Sequence, residues 1–360
     1  MHIETQSLPD QAAVAQGETP ATVGLPKGQR IAALDFTKGA LVVIMVLYHW
    51  INYFIGLQWP YYRYLRFLTP SFIFISGFMI SHVYLSKYAP ADPQLSRRLV
   101  TRGLKLLAIF LVLNLARDVI MPVLGTGAAI QNIISPQILI AFFMFGSLPA
   151  EGPKLVSFSI LVPISYLLIV SGALMPLYRR YKYTFHVVCF SLLLVSLIVG
   201  YIYARNYNVE FVAIGMLGVL IGFTPIRKID TFGRHPYLLA LAYLGYVVAI
   251  AVWDAQFLLL IVAVLPNLCI LYLIGARGIK ASAVKNEVIL LGKYSLLGYI
   301  SQVAILQFLS KGYQRIELGV IRLPSSFLAA MLLTILAVEF VDRARARSRG
   351  ADRLYKAIFA

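Results

Sequence analysis

The chain has 360 residues, 60% of them hydrophobic and only 13% charged, with a formal net charge of +17. Such a balance excludes an ordinary soluble globular domain, and many nearly uncharged windows of about 20 residues have the length that crosses a bilayer's hydrocarbon. So positive a soluble protein would point to nucleic acid. Here the basic residues fall in short loops between apolar spans, where they orient the chain in the membrane, and no nucleic-acid partner is expected.

Residues 1–30 are polar and show no apolar core ahead of a cleavage site, so a cytosolic tail is expected there. Residues 31–341 form the expected transmembrane domain and 342–360 a basic cytosolic tail. Eleven apolar stretches lie near 39–56, 67–85, 104–121, 136–148, 155–177, 184–203, 210–226, 236–253, 256–275, 288–309 and 325–341. The fourth is the shortest and is bounded by Pro136 and Pro149. If it is re-entrant or interfacial, Arg179, Arg180, Lys182 and most other basic residues fall on one side, with both termini cytosolic. The expected fold is an all-α polytopic transmembrane helical bundle of about ten spanning helices. Cys189 and Cys269 sit inside apolar spans and imply no disulfide.

The first span opens LDFTKGALVVIMVLYHW, an apolar run holding Asp35, Lys38 and His49. An ionisable group at bilayer depth marks a functional site by default. Lys38 and His49 are about three helical turns and about 16 Å apart on one face, with Asp35 a turn earlier. Asn52 extends the stripe past His49. An imidazole suits such a place because it can take a proton from a hydroxyl and return one to a leaving group.

In the second span, FLTPSFIFISGFMISHVYL, Ser76 and Gly77 allow a close approach by a helix or a ligand. His82 falls near the cytosolic end. Arg97, Arg98, Arg102 and Lys105 follow at roughly one-turn spacing, which serves topology and also makes a seat for a phosphorylated ligand. Lys293, Ser295, Tyr299 and Gln302 are polar positions in the late segment LGKYSLLGYISQ. Arg117, Asp118, Glu210, Asp254 and Glu339 are expected to be hydrated at span ends. RARARSR (343–349) reads as a retention signal or a lipid-headgroup contact. No metal-binding or P-loop motif is present.

Taken in order, these pieces resemble the acyltransferase 3 family of multi-spanning membrane O-acyltransferases. Its opening motif, R…LDxxRGxA…H, is similar to Arg30, Leu34, Asp35, Lys38, Gly39 and His49. Its FFxxSGF segment resembles Phe72 to Phe78, its basic stretch resembles Arg97, Arg98 and Arg102, and its late GxxSYxxYLxH segment resembles Gly292, Ser295, Tyr299 and Gln302. Two positions depart: lysine replaces the first-span arginine at Lys38, and glutamine replaces the late histidine at Gln302. Relatives modify periplasmic glucans or acetylate heparan.

The resemblance implies an inner-membrane enzyme of bacterial type for polysaccharide modification by O-acetylation. It would move an acyl group, acetyl in the simplest case, from cytosolic acyl-CoA to a hydroxyl of a glycan or lipid-linked glycan. No tightly bound cofactor is implied. His49 would be general base or acyl carrier, with Lys38 and Asp35 assisting. Arg97, Arg98, Arg102, Lys105 and Ser76 would hold the donor. Asn52, Lys293, Ser295, Tyr299 and Gln302 are further polar candidates. A transporter or flippase of an anionic lipid or glycan intermediate stays open as the other reading, as does a homo-oligomer.

Overall fold

The computed structural model describes residues 31–56, 60–85, 93–123, 136–146, 157–202, 205–225, 228, 231, 235–253, 257–278, 282–314 and 319–359. The expected tail at 1–30 and the position Asp254 lie outside them. Described residues from Ile31 onward form one unit, and they contain no strand.

Thirteen α-helices of ten residues or more follow one another among these residues, with short 3-10 and π-helical segments between some of them. They are α1 (Ala32–Phe54), α2 (Leu68–Met79), α3 (Pro93–Val123), α4 (Pro136–Phe145), α5 (Leu161–Arg180), α6 (Thr184–Ile202) and α7 (Tyr207–Gly222). The rest are α8 (Pro236–Val252), α9 (Phe257–Leu273), α10 (Ala283–Lys293), α11 (Ser295–Gln314), α12 (Arg322–Arg347) and α13 (Arg349–Phe359). Seven helical runs are long and apolar enough to cross a membrane, and an eighth is gained if the bent pair α10 and α11 counts as one. The protein is therefore a membrane-embedded helical bundle. Helices α7 and α8, with 16 and 17 residues, are shorter apolar helices, so fewer than ten pass by length alone.

The stretch 288–309, read from its hydropathy as a span, is not one straight helix. The chain bends by 93° between α10 and α11, with Tyr294 at the corner. A hydropathy window averages over such a corner. Backbone approach and polar anchoring make it: Gly292 packs on the Asp35 carbonyl, and the Tyr294 hydroxyl donates to Asp342 Oδ1 at 2.6 Å. By contrast α9 runs unbroken through Pro266, where Asn267 Nδ2 donates to the Ala263 carbonyl of its own helix at 2.7 Å.

Helix α4 has ten residues, about 15 Å, roughly half the hydrocarbon thickness. The Gly146 N–H reaches the Phe142 carbonyl at 2.8 Å, and side chains meet the helix's last carbonyls as well. Asn208 donates to Phe142 and Phe143, Asn206 to Met144, and the Tyr166 hydroxyl to Phe143.

Small residues set the tightest helix crossings, as expected where lipid supplies no hydrophobic drive between helices. A Cβ on Gly77 would overlap the Gly215 carbonyl, which joins α2 to α7. A Cβ on Gly39 would overlap the Val288 carbonyl, which joins α1 to α10. Helix α12 closes the bundle over α1 and α11, where Trp50 Nε1 donates to Ser326 Oγ at 2.9 Å and Gly298 faces Val42 and Val338. The start of α1 and the end of α12 lie at the same end of the bundle, since Gly292 meets Asp35 and Lys293 meets Asp342.

Candidate active site

Helices α1 and α11 run side by side in the same direction, with contacts that climb from Val42–Gly298 through His49–Tyr299 to Tyr53–Gln307. At the lower end, Asp35 and Lys38 form an ion pair of 2.5 Å with side chains only 12% and 15% exposed. Pairing lets both ride inside the helix, which therefore begins at Ala32 rather than near 39. Gly39 and Gly292 bring the two backbones together at that level.

About three turns further along α1 the His49 ring lies 6.0 Å from the Tyr299 ring, centre to centre. Tyr48 meets His49 edge-on at 5.2 Å and stacks on Tyr62 at 4.7 Å. Phe158 stands perpendicular to Tyr299 at 6.2 Å. Its backbone is unusual, with φ of +59°, a region costly for an aromatic residue. Asn114 holds that geometry by accepting from the Ser157 N–H at 2.8 Å and donating to the Ser157 carbonyl at 3.0 Å. Strain maintained this way is characteristic of a positioned site.

Beyond this aromatic layer lies a polar network. Gln307 Nε2 donates to the Tyr53 hydroxyl at 3.1 Å and to Ser157 Oγ at 2.8 Å. Arg117 donates through Nη1 to the same Ser157 Oγ at 3.0 Å, and through Nε and Nη2 to Asp118 Oδ1. Asp118 Oδ2 is buried with no donor among the described residues. The sequence places Arg117 and Asp118 as hydrated span-end residues, and the structure corrects this: their side chains are 10% and 6% exposed. Glu210 is likewise buried, against Arg205. What could have flagged Arg117 and Asp118 is adjacent opposite charge within an apolar run. Ser157, Tyr53 and Gln307 carry no local signal.

Other predicted residues take varied places. Gln302 is fully buried, and neither atom of its amide head has a hydrogen-bond partner among the described residues. Ser76 turns its hydroxyl onto the Phe72 carbonyl of its own helix at 2.8 Å, and Gly77 beside it serves helix packing. Ser295 starts α11, half-buried, and Asn52 is half-buried on α1. His82 reaches the Gly222 carbonyl through Nδ1 at 3.2 Å.

The basic residues gather at the Asp35 end. Arg97 and Arg98 are exposed on the first turns of α3, with Lys105 half-buried. Arg102 lies over the Tyr84 ring at 5.3 Å and within electrostatic reach of Tyr355. Lys293 pairs with Asp342 at 2.7 Å instead of joining His49 and Tyr299. A separate cavity of about 90 Å³ opens between α1, α2, α7 and α9, lined by Thr37, Phe78, Leu268 and Tyr272 among others. It sits about three turns from His49 along α1 and is not part of that centre.

No family model, no curated protein and no solved structure matches this chain. The functional reading therefore rests on the motifs and on the geometry above.

Proposed function

We propose that this protein is an integral-membrane O-acyltransferase that moves an acyl group, acetyl in the simplest case, from acyl-CoA to a hydroxyl of a glycan or lipid-linked glycan. The observation that carries the reading is the meeting of two segments about 250 residues apart in sequence. LDFTKGA…H and GKYSLLGY touch through Gly39 and Gly292 at one level and through His49 and Tyr299 at another.

In this mechanism His49 removes the acceptor hydroxyl proton while the oxygen forms its bond to the acyl carbon. As the thioester carbon–sulfur bond breaks, the imidazolium returns the proton to the leaving thiolate. Tyr48 and Tyr299 fix the imidazole, and Phe158 behind Tyr299 helps keep bulk water from the thioester. Arg102 and Lys105, with Arg97 and Arg98 outside them, take the donor's phosphates. Lys38, neutralised by Asp35, lies between that mouth and His49. The polar network of Tyr53, Gln307, Ser157 and Arg117 faces the acceptor side. Gln302 cannot act as a base, so His49 carries proton transfer alone.

The basic end is the cytosolic face of a bacterial-type inner membrane on this reading. Counting α7 and α8 with the eight longer candidates makes ten crossings. An even number fits a chain that enters α1 and leaves α12 at one end, and α4 then stays on the opposite side without crossing. The paired charges at each end, separated by the His49–Tyr299–Phe158 layer, favour a reaction centre over a translocation path.

The test is acyl-CoA turnover by purified protein. His49→Ala should lower kcat by about 10²–10⁴-fold, and a wild-type rate in that variant overturns the assignment. Arg102→Gln should raise the donor KM more than it lowers kcat. An unchanged KM assigns Arg102 to packing on Tyr84.

A further inference from the structure

The last helix, α13, divides its residues by side. Tyr355 and Phe359, one turn apart, face the protein. Tyr355 meets the Tyr294 ring at 5.3 Å, lies under the Arg345 guanidinium at 4.1 Å and packs on Phe359 at 4.9 Å. Arg345 also donates through Nε and Nη2 to Asp352 Oδ1, which fixes the helix to the end of α12. On the neighbouring strip Leu354 and Ile358, again one turn apart, are left uncovered by the described residues: Leu354 is 63% exposed and Ile358 39%. On the side turned away from the protein stand Arg349 and Arg353, both exposed, while Lys356 pairs with Asp352 at 2.6 Å.

Its height in the membrane follows from α12. The outward stripe of that helix, Leu328, Leu332, Leu336 and Phe340, is exposed at four-residue spacing and ends with Phe340 at 73%. In a bundle embedded in a bilayer, that stripe faces lipid. Arg345, where α13 is clamped, lies five residues and about 8 Å beyond Phe340. That is the depth of the headgroup zone, which extends about 5–8 Å past the hydrocarbon. A short helix there with a bare apolar strip and a basic edge has the make-up of an interfacial helix.

We propose that α13 is an anionic-lipid contact, seating Leu354 and Ile358 at the acyl boundary and placing Arg349 and Arg353 against acidic headgroups. Charge complementarity selects the occupant. The helix has one acid, Asp352, already engaged by Arg345 and Lys356, and beyond that pairing the exposed edge carries the cations Arg349 and Arg353. A juxtamembrane basic cluster of this kind is drawn to acidic lipid over zwitterionic lipid. The proposal does not depend on the acyltransferase reading.

The experiment uses the full chain reconstituted in vesicles of phosphatidylcholine alone or mixed with phosphatidylglycerol. A Leu354→Cys variant, in a background of Cys189→Ala and Cys269→Ala, carries an environment-sensitive fluorophore. Nitroxide lipids labelled near the headgroup should quench it, more strongly in the acidic vesicles. Arg349→Gln with Arg353→Gln should abolish the difference between the two vesicles. Amide exchange over 349–359 of the unmodified protein gives the same comparison without substitutions, with slower exchange expected in acidic vesicles. Equal exchange and equal quenching in both vesicles overturn the anionic contact. Quenching by aqueous iodide alone makes the strip a water-facing surface. A disulfide crosslink between two copies of the unlabelled Leu354→Cys variant makes it an oligomer contact. Either result overturns the proposal.

Discussion

The two ends of the bundle carry their charges in opposite ways. At the basic end the ion pair Lys293–Asp342 and the pairs of Asp352 with Arg345 and Lys356 are joined through the Tyr294 hydroxyl and partly open to water, with Lys293 and Asp342 side chains 35% and 33% exposed. At the other end the pair of Arg117 and Asp118 is nearly dry, 10% and 6% exposed, and Arg117 also donates to the neutral Ser157 hydroxyl. Solvent screens the first kind and leaves each pair worth little. The second kind has exchanged hydration for fixed partners, so losing one partner strands the other. Density of charge along the chain is thus a poor guide to where charge matters.

Breaking the dry pair should produce the largest effect. Arg117→Leu leaves Asp118 buried without its cation and removes one of the donors to Ser157 Oγ, at an expected cost of about 3–5 kcal/mol. A steep loss of melting temperature in detergent checks it; a wild-type melting curve would place the pair in water. Gln307→Leu removes only a neutral donor shared by Tyr53 and Ser157, for about 1–3 kcal/mol. Its second readout is acyl-CoA turnover with acceptor present, where a raised acceptor KM is expected if this network faces the acceptor.

The smallest effect is expected at the basic end and should follow pH. Hydrogen bonds from Lys356 and then Arg345 hold the Asp352 carboxyl below its ordinary value. A carboxylate depressed on folding contributes fully above its unfolded pKa of about 4, and the contribution fades as pH falls through the lower folded value. Acid should therefore loosen α13 from α12, seen as lower amide protection factors over 349–359, relative to intrinsic exchange at each pH, below about pH 4. Asp352→Asn should remove that acid dependence while leaving the rest of the bundle unchanged.

Much of the bundle was legible because the signals are local. Hydropathy over about 20 residues marks a span wherever it lies in the chain, so α1, α2, α3, α5, α6, α9 and α12 all coincide with expected stretches. The same averaging hid the corner at Tyr294, because a bend changes direction without changing composition. Asp35, Lys38 and His49 were legible as polar residues at helical spacing, and the ion pair between the first two is found. The seat of Lys293 was not, since its partner Asp342 is 49 residues away.

What the sequence determined alone is that this chain is helical, lives in a membrane and carries an unusual polar stripe on its first span. Only the tertiary structure decided what that stripe touches. His49 meets Tyr299, Gln307 meets Tyr53 and Ser157, and Arg117 turns inward, through contacts between residues 40 to more than 250 positions apart. The reason is physical: periodicity and hydropathy act within one helix, whereas a buried polar group finds its partners only on the helices that pack against it.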